Sequence, residues 1–74
     1  MNSYRSKSGK PFGVTGYELG AGYIIIRFQN GALYKYTIHS CGAAHVRNMS
    51  RLAVGQKGLS TYIAQYHPRY EAKL

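Results

Sequence analysis

Seventy-four residues, 45% of them hydrophobic, allow one domain with a modest core and leave no length for a separate cofactor-binding domain. Ten Lys and Arg against two acidic residues give a formal net charge of +8, which makes a polyanion the electrostatically favoured partner and leaves too few carboxylates for paired-carboxylate chemistry. One cysteine excludes an intramolecular disulfide, no apolar run approaches the roughly 20 residues that cross a bilayer, and the first residues lack the apolar centre of a signal peptide, so a cytoplasmic protein with no membrane partner is expected.

Before Phe12 the chain is dominated by Asn, Ser, Gly and Pro, with Arg5, Lys7 and Lys10 at short spacing and Tyr4 as the only sizeable aromatic. Residues 1–12 therefore read as a flexible basic tail, too poor in apolar surface to offset the entropy of ordering it. Residues 13–74 form the single folded domain. A first strand is predicted over residues 13–19, with Thr15, Tyr17 and Leu19 on one side and Val14, Gly16 and Glu18 on the other. Gly20-Ala21-Gly22 then turns the chain.

The strongest signal follows, because Tyr23 to Phe28 and Ala32 to Ile38 alternate on either side of Asn30-Gly31, as the two arms of a β-hairpin do. A two-residue turn would oppose Ile26 to Lys35 and Ile24 to Thr37, mixing charge into the apolar face. A three-residue loop, with Gly31 left-handed, instead pairs Phe28 with Ala32, Ile26 with Tyr34 and Ile24 with Tyr36. One face is then apolar and aromatic. The other carries Tyr23, Ile25, Arg27, Leu33, Lys35 and Thr37.

After Ile38 the period changes from strand to helix. Ala44, Val46, Met49, Leu52 and Ala53 recur at helical spacing, with His45, Arg47, Asn48 and Arg51 mostly between them. Ser40 is the expected N-cap and Gly55 the expected left-handed C-cap. Gln56-Lys57-Gly58 leads into a second helix from residue 59 or 60 to 66, with Leu59, Ile63 and Tyr66 inward and Pro68 as its stop. The architecture expected is α+β, a three-stranded antiparallel meander followed by two α-helices packed on one face.

Three stretches taken together resemble the KTSC domain, named after the C-terminal domain of certain lysyl-tRNA synthetases. They are Thr15-Gly16-Tyr17, then Ile24-x-Ile26-x-Phe28-x-Asn30-Gly31-x-x-Tyr34-x-Tyr36, then Met49-x-x-Leu52-Ala53-x-Gly55-x-x-Gly58-Leu59-x-Thr61-x-Ile63. The resemblance covers residues 13 to 70 and implies RNA-related work by association with the synthetase.

Chemistry is thinly represented. Cys41 and His45 lie one helical turn apart beside His39, yet a structural zinc wants four ligands and a nucleophilic cysteine wants a base and an orienting group, so neither a metal site, a cofactor nor an enzyme is expected. Gly55-Gln56-Lys57-Gly58 resembles the loop by which KH domains clamp a nucleic-acid backbone, but the apolar positions after it do not keep the KH order and a helix cap followed by a helix start fits it better. Eight tyrosines offer π faces for base stacking. The reading is a small basic nucleic-acid (RNA) binding module, with Tyr23, Arg27, Lys35, Lys57 and Arg69 as contact residues and Tyr62, Tyr66 and Tyr70 near the last of these. The alternative is a protein-interaction or homodimerisation module that pairs through Tyr23, Ile25 and Leu33.

Overall fold

The computed structural model describes residues 1–4 and 13–74, and the fold is α+β around one antiparallel sheet. Its strands are β1 (Asn2–Ser3), β2 (Val14–Gly20), β3 (Tyr23–Phe28), β4 (Leu33–Thr37) and β5 (Ala72–Lys73), adjacent in that order. Three helices intervene between β4 and β5: α1 (Ile38–Cys41), α2 (Ala43–Val54) and α3 (Leu59–Tyr66). The central meander was legible from alternation. The two outer strands are additions to the expected three, each only two residues long, and α1 is an additional short helix.

The hairpin has the register that its apolar face demands, with Ile24 opposite Tyr36 and Ile26 opposite Tyr34. Its loop closes through Phe28 N–H donating to the Ala32 carbonyl and Gly31 N–H donating to the Phe28 carbonyl. Gly31 takes φ +87°, a conformation in which a β-branched residue would be strained. On β2 a bulge between Val14 and Gly16 sets Val14 opposite Phe28 and Gly16 opposite Arg27. One extra residue rotates the strand start, so Val14 joins Tyr17 in the core instead of lying on the other side from it.

Helix starts and stops also differ in detail from the expected ones. Thr37 is the N-cap: its hydroxyl accepts from Ser40 N–H while the Ser40 hydroxyl accepts from Thr37 N–H, a reciprocal capping box in which Ser40 is the third helical residue. Gly42, at φ +90°, separates α1 from α2. At the end of α2, Gly55 stays right-handed at φ −73° and Gln56 takes the left-handed position at φ 57°. Gln56 N–H donates to the Ala53 carbonyl and Lys57 N–H to the Leu52 carbonyl, the paired bonds of a Schellman ending with glutamine where glycine is usual. The Gln56 side chain donates onward to the Ser3 carbonyl at 2.9 Å, joining this ending to β1.

Packing gathers Tyr4, Val14, Tyr17, Ile24, Ile26, Tyr36, Met49, Ala53 and Leu59 into one core between the sheet and the two longer helices. Ile24, Ile26, Met49 and Leu59 are fully enclosed, and burying each stabilises the fold by about 1.5–3 kcal/mol. Leu59 and Ile63 face the core as expected, whereas Tyr66, also expected inward, is 55% exposed and Tyr62 packs against the core in its place. The expected tail divides in two. Residues 5–12 lie outside the described residues, whereas Asn2 and Ser3 pair with Tyr17 and Gly16, and Tyr4 is 3% exposed with its hydroxyl accepting from Leu59 N–H at 2.9 Å. Tyr4 thus supplies the first amide of α3, which has no side-chain cap of its own, with a buried partner.

Candidate nucleic-acid interface

Pairing across the sheet decides which side each charged residue faces, because directly opposed residues of antiparallel strands point to the same face. Glu18 opposes Ile25, which opposes Lys35, and Arg27 opposes Leu33. Tyr23 and Thr37 oppose each other on this same face. Among the described residues the core packing of α2 and α3 lies on the other side of the sheet, and Tyr23, Ile25, Arg27, Leu33 and Lys35 on the open face are half-buried.

The other carboxylate reaches the open face from β5's approach. Thr37 Oγ1 donates to Glu71 Oε1 at 3.2 Å, and Glu71 lines a shallow cleft with Tyr23, Lys35, Thr37 and His39. Arg27 and Lys35 therefore share their face with both carboxylates of the chain, and its formal charge from these four groups cancels.

Three expected contact residues are also engaged by their own fold. The Arg27 guanidinium donates from Nε to Thr15 Oγ1 at 3.0 Å and from Nη2 to the Thr15 carbonyl at 3.2 Å, lying over Gly16 where any side chain would press on it. The Tyr23 ring folds over Gly20, whose missing side chain makes the room. Lys35 Nζ sits over that ring at 4.8 Å from its centroid, a cation–π contact that occupies the lysine and the aromatic together.

The helix-bearing side has the opposite balance. Seven Lys and Arg remain once Arg5, Lys7 and Lys10 are set outside the described residues, and five of those seven are not on the open face. Arg47 and Arg51 are exposed one turn apart on α2, and Lys57 is exposed in the turn that follows. Lys73 opposes Tyr34 on the core side of the sheet and holds Nζ 5.8 Å from that ring's centroid. Arg69 is exposed on the connection from α3 to β5, its carbonyl accepting from the Ser40 hydroxyl at 2.7 Å. Of the five residues expected to make contacts, the sheet brings Tyr23, Arg27 and Lys35 together and leaves Lys57 and Arg69 elsewhere. Arg47, Arg51 and Lys73 were overlooked as contacts, although the four-residue spacing of the first two between apolar positions marks an exposed basic stripe.

The turn from Gly55 to Gly58 offers Lys57 but not a cradle of amides. The N–H groups of Gly55, Gln56, Lys57 and Leu59 donate to the Arg51, Ala53 and Leu52 carbonyls and the Tyr4 hydroxyl in turn, so the helix ending consumes the donors a phosphate clamp would need. Between α2 and α3, His45 Nδ1 and the Tyr62 hydroxyl are 2.5 Å apart, Asn48 Nδ2 donates to the same hydroxyl at 3.4 Å, and Arg51 donates to Asn48 Oδ1 at 3.1 Å. His45 is thereby turned to Tyr62. Cys41 donates to the Thr37 carbonyl at 3.4 Å, and burial pushes its thiol up, against a smaller lowering by Ser40, which is the reverse of what activates a nucleophile. Among the described residues no three His, Cys, Asp or Glu converge as metal ligands, and no helix is long and apolar enough to cross a membrane.

Comparison with known proteins adds no relative: no family model, no curated protein and no solved structure matches the chain.

Proposed function

We propose that the protein is a small basic module that binds nucleic acid, RNA foremost, and that it receives the phosphate backbone on its helix-bearing side. The observation that carries this reading is the segregation of charge: Arg47, Arg51, Lys57 and Lys73 stand on that side, while Glu18 and Glu71 lie with Arg27 and Lys35 across the sheet. A polyanion approaching the helices meets cations with no carboxylate among them, so attraction is greatest there and falls as salt screens it. The KTSC resemblance belongs to the same proposal. It is supported by the aromatic hairpin and by the Gly55 to Gly58 turn that joins the two longer helices.

Salt titration of binding to single-stranded RNA tests the reading. If Arg47, Arg51 and Lys57 neutralise about three phosphates, replacing all three by Ala should lower the slope of log affinity against log salt by about 2. Replacing Arg27 and Lys35 by Gln should leave most of the slope in place. An equal loss in the second variant moves the interface to the open face, and no binding of RNA or DNA at low salt by the unaltered protein ends the nucleic-acid reading.

A second reading has its own observation. Among the described residues the open face is charge-balanced and carries Ile25 and Leu33 beside Tyr23, a composition that suits a protein partner or a second copy of the chain better than a phosphate backbone. Sedimentation equilibrium separates the two, since association through this face would persist at high salt and would be lost in Ile25→Lys.

A further inference from the structure

We propose that Tyr70, flanked by Arg69 and Lys73, is a subsite on which a bound single-stranded nucleic acid stacks a base, an assignment that rests on the nucleic-acid reading above. Tyr70 is 51% exposed, which leaves a large part of its ring open to a ligand. It is nevertheless held firmly. Its ring stacks on Tyr34 with centroids 4.7 Å apart and planes 11° from parallel, and meets Tyr36 edge-on at 6.4 Å. Phe28 braces Tyr34 in turn, with centroids 5.3 Å apart and planes tilted by 58°.

The main chain on both sides of the ring is fixed as well. Ser40 Oγ donates to the Arg69 carbonyl at 2.7 Å, Glu71 N–H donates to the Lys35 carbonyl at 2.6 Å, and Leu74 N–H donates to the Leu33 carbonyl at 2.7 Å. An exposed aromatic that is already immobilised loses little freedom when a base stacks on it, so more of the stacking energy appears as affinity. The remaining tyrosines with exposed or half-exposed rings are less suited. Tyr23 is folded over Gly20 beneath Lys35, and Tyr62 and Tyr66 are tilted 40° against each other, with the Tyr62 hydroxyl tied to His45 and Asn48.

Cations close to the ring in the chain suit a base that carries phosphates beside it. Arg69 precedes Tyr70, and Lys73 reaches over Tyr34, the ring on which Tyr70 rests. Glu71 intervenes in sequence, yet its carboxylate accepts from Thr37 on the open face, away from the stacked rings. The sheet thus separates the one nearby carboxylate from the aromatic ladder.

Two probes of equal length distinguish stacking from charge: oligouridine RNA and an abasic phosphodiester that lacks bases. Fluorescence polarisation at low salt should show the unaltered protein preferring oligouridine by about tenfold or more. Tyr70→Phe should keep that preference, Tyr70→Leu should lose it, and abasic binding should stay constant in all three. Oligouridine carrying 4-thiouridine should cross-link to Tyr70 on irradiation, as read by mass spectrometry. The proposal is overturned if Tyr70→Leu retains the preference, if Tyr70→Phe loses it, or if the cross-link falls only elsewhere. Equal affinity of the unaltered protein for both probes overturns stacking and leaves phosphate binding standing, whereas no affinity for either removes the nucleic-acid reading itself. Should Tyr70→Leu fail to fold, the two-probe comparison and the cross-link on the unaltered protein still decide.

Discussion

Across the one sheet, the helix-bearing side and the open face use their side chains differently. On the helix-bearing side Ile24, Ile26, Tyr36, Met49 and Leu59 are sealed into the core while Tyr66 and Tyr70 stay exposed at its edge, and the cations of α2, the α2–α3 turn and β5 are exposed without a Glu side chain among them. On the open face three long side chains are spent laterally: Arg27 on Thr15, Tyr23 on Gly20, Lys35 on Tyr23. The comparison shows that, among the described residues, cations and carboxylates are not spread evenly over the surface. A sheet face without a covering layer stabilises itself by cross-strand pairing, and that pairing draws in the charges and the aromatic that a sequence pattern offers as free.

The largest effect expected lies on the helix-bearing side. Tyr4→Ala removes a buried ring and the acceptor for Leu59 N–H together, and should cost about 3–5 kcal/mol. For a domain of this size that lowers the thermal midpoint by well over ten degrees, at about 4–8 °C per kcal/mol. Tyr4→Phe, which loses only the hydroxyl, should cost about 1–2 kcal/mol. A thermal melt of Tyr4→Ala that matches the unaltered protein would detach β1 from the core, and would restore residues 1–12 as a dispensable tail.

The second effect is a titration in the same core. Burial first, and then the neighbouring Tyr34, Cys41 and Tyr70, push the Tyr36 hydroxyl up from 10.0 to about 12. Between those values the unfolded chain gives up a proton that the folded chain keeps. The stability tied to Tyr36 is therefore complete below pH 10, falls as pH rises, and is gone above about pH 12. The loss should be no more than about 3 kcal/mol, since each pKa unit is worth about 1.4 kcal/mol and solvent screening reduces it. Urea melts of the unaltered protein and of Tyr36→Phe across this window check it. The variant should lose stability less steeply, and parallel curves would place the alkaline sensitivity on other tyrosines.

Much of this arrangement was legible in the sequence where side chains alternate or recur over several residues. The apolar pattern of Ile24, Ile26, Tyr34 and Tyr36 admits one register, and the loop around Gly31 has the glycine that register needs. The outer strands were not legible, because two residues cannot display a period: Asn2-Ser3 and Ala72-Lys73 are defined by the edge they complete. The bulge at Thr15 was hidden for a related reason, since the weak alternation of β2 looks the same with and without an extra residue. Thr37 caps α1 from inside a strand pattern, so its role shows only when the Ser40 and Glu71 contacts are in place. For the candidate interface, composition gave the sign of the charge but not its sides. Those depend on Glu71 turning back to Thr37 across a gap of 34 residues.

The smallest effect expected is the sharpest test of the two-sided distribution of charge. Glu18→Gln together with Glu71→Gln removes both carboxylates, leaves the Glu71 side chain an oxygen that can still accept from Thr37, and raises the open face to a formal +2 from Arg27 and Lys35. If RNA phosphates lie on the helix-bearing side, the altered charges act on them across the sheet. With a Debye length of about 8 Å at physiological salt that influence is largely screened. Affinity for single-stranded RNA should then change by less than about twofold, with the salt slope unchanged within about half a unit. If the backbone runs over Tyr23, Arg27 and Lys35 instead, removing two repelling carboxylates from its path should tighten binding by about tenfold, as two unfavourable contacts of about 0.7 kcal/mol each would give. A tightening of that size would return the interface to the open face and leave the basic stripe of α2 as solvated surface.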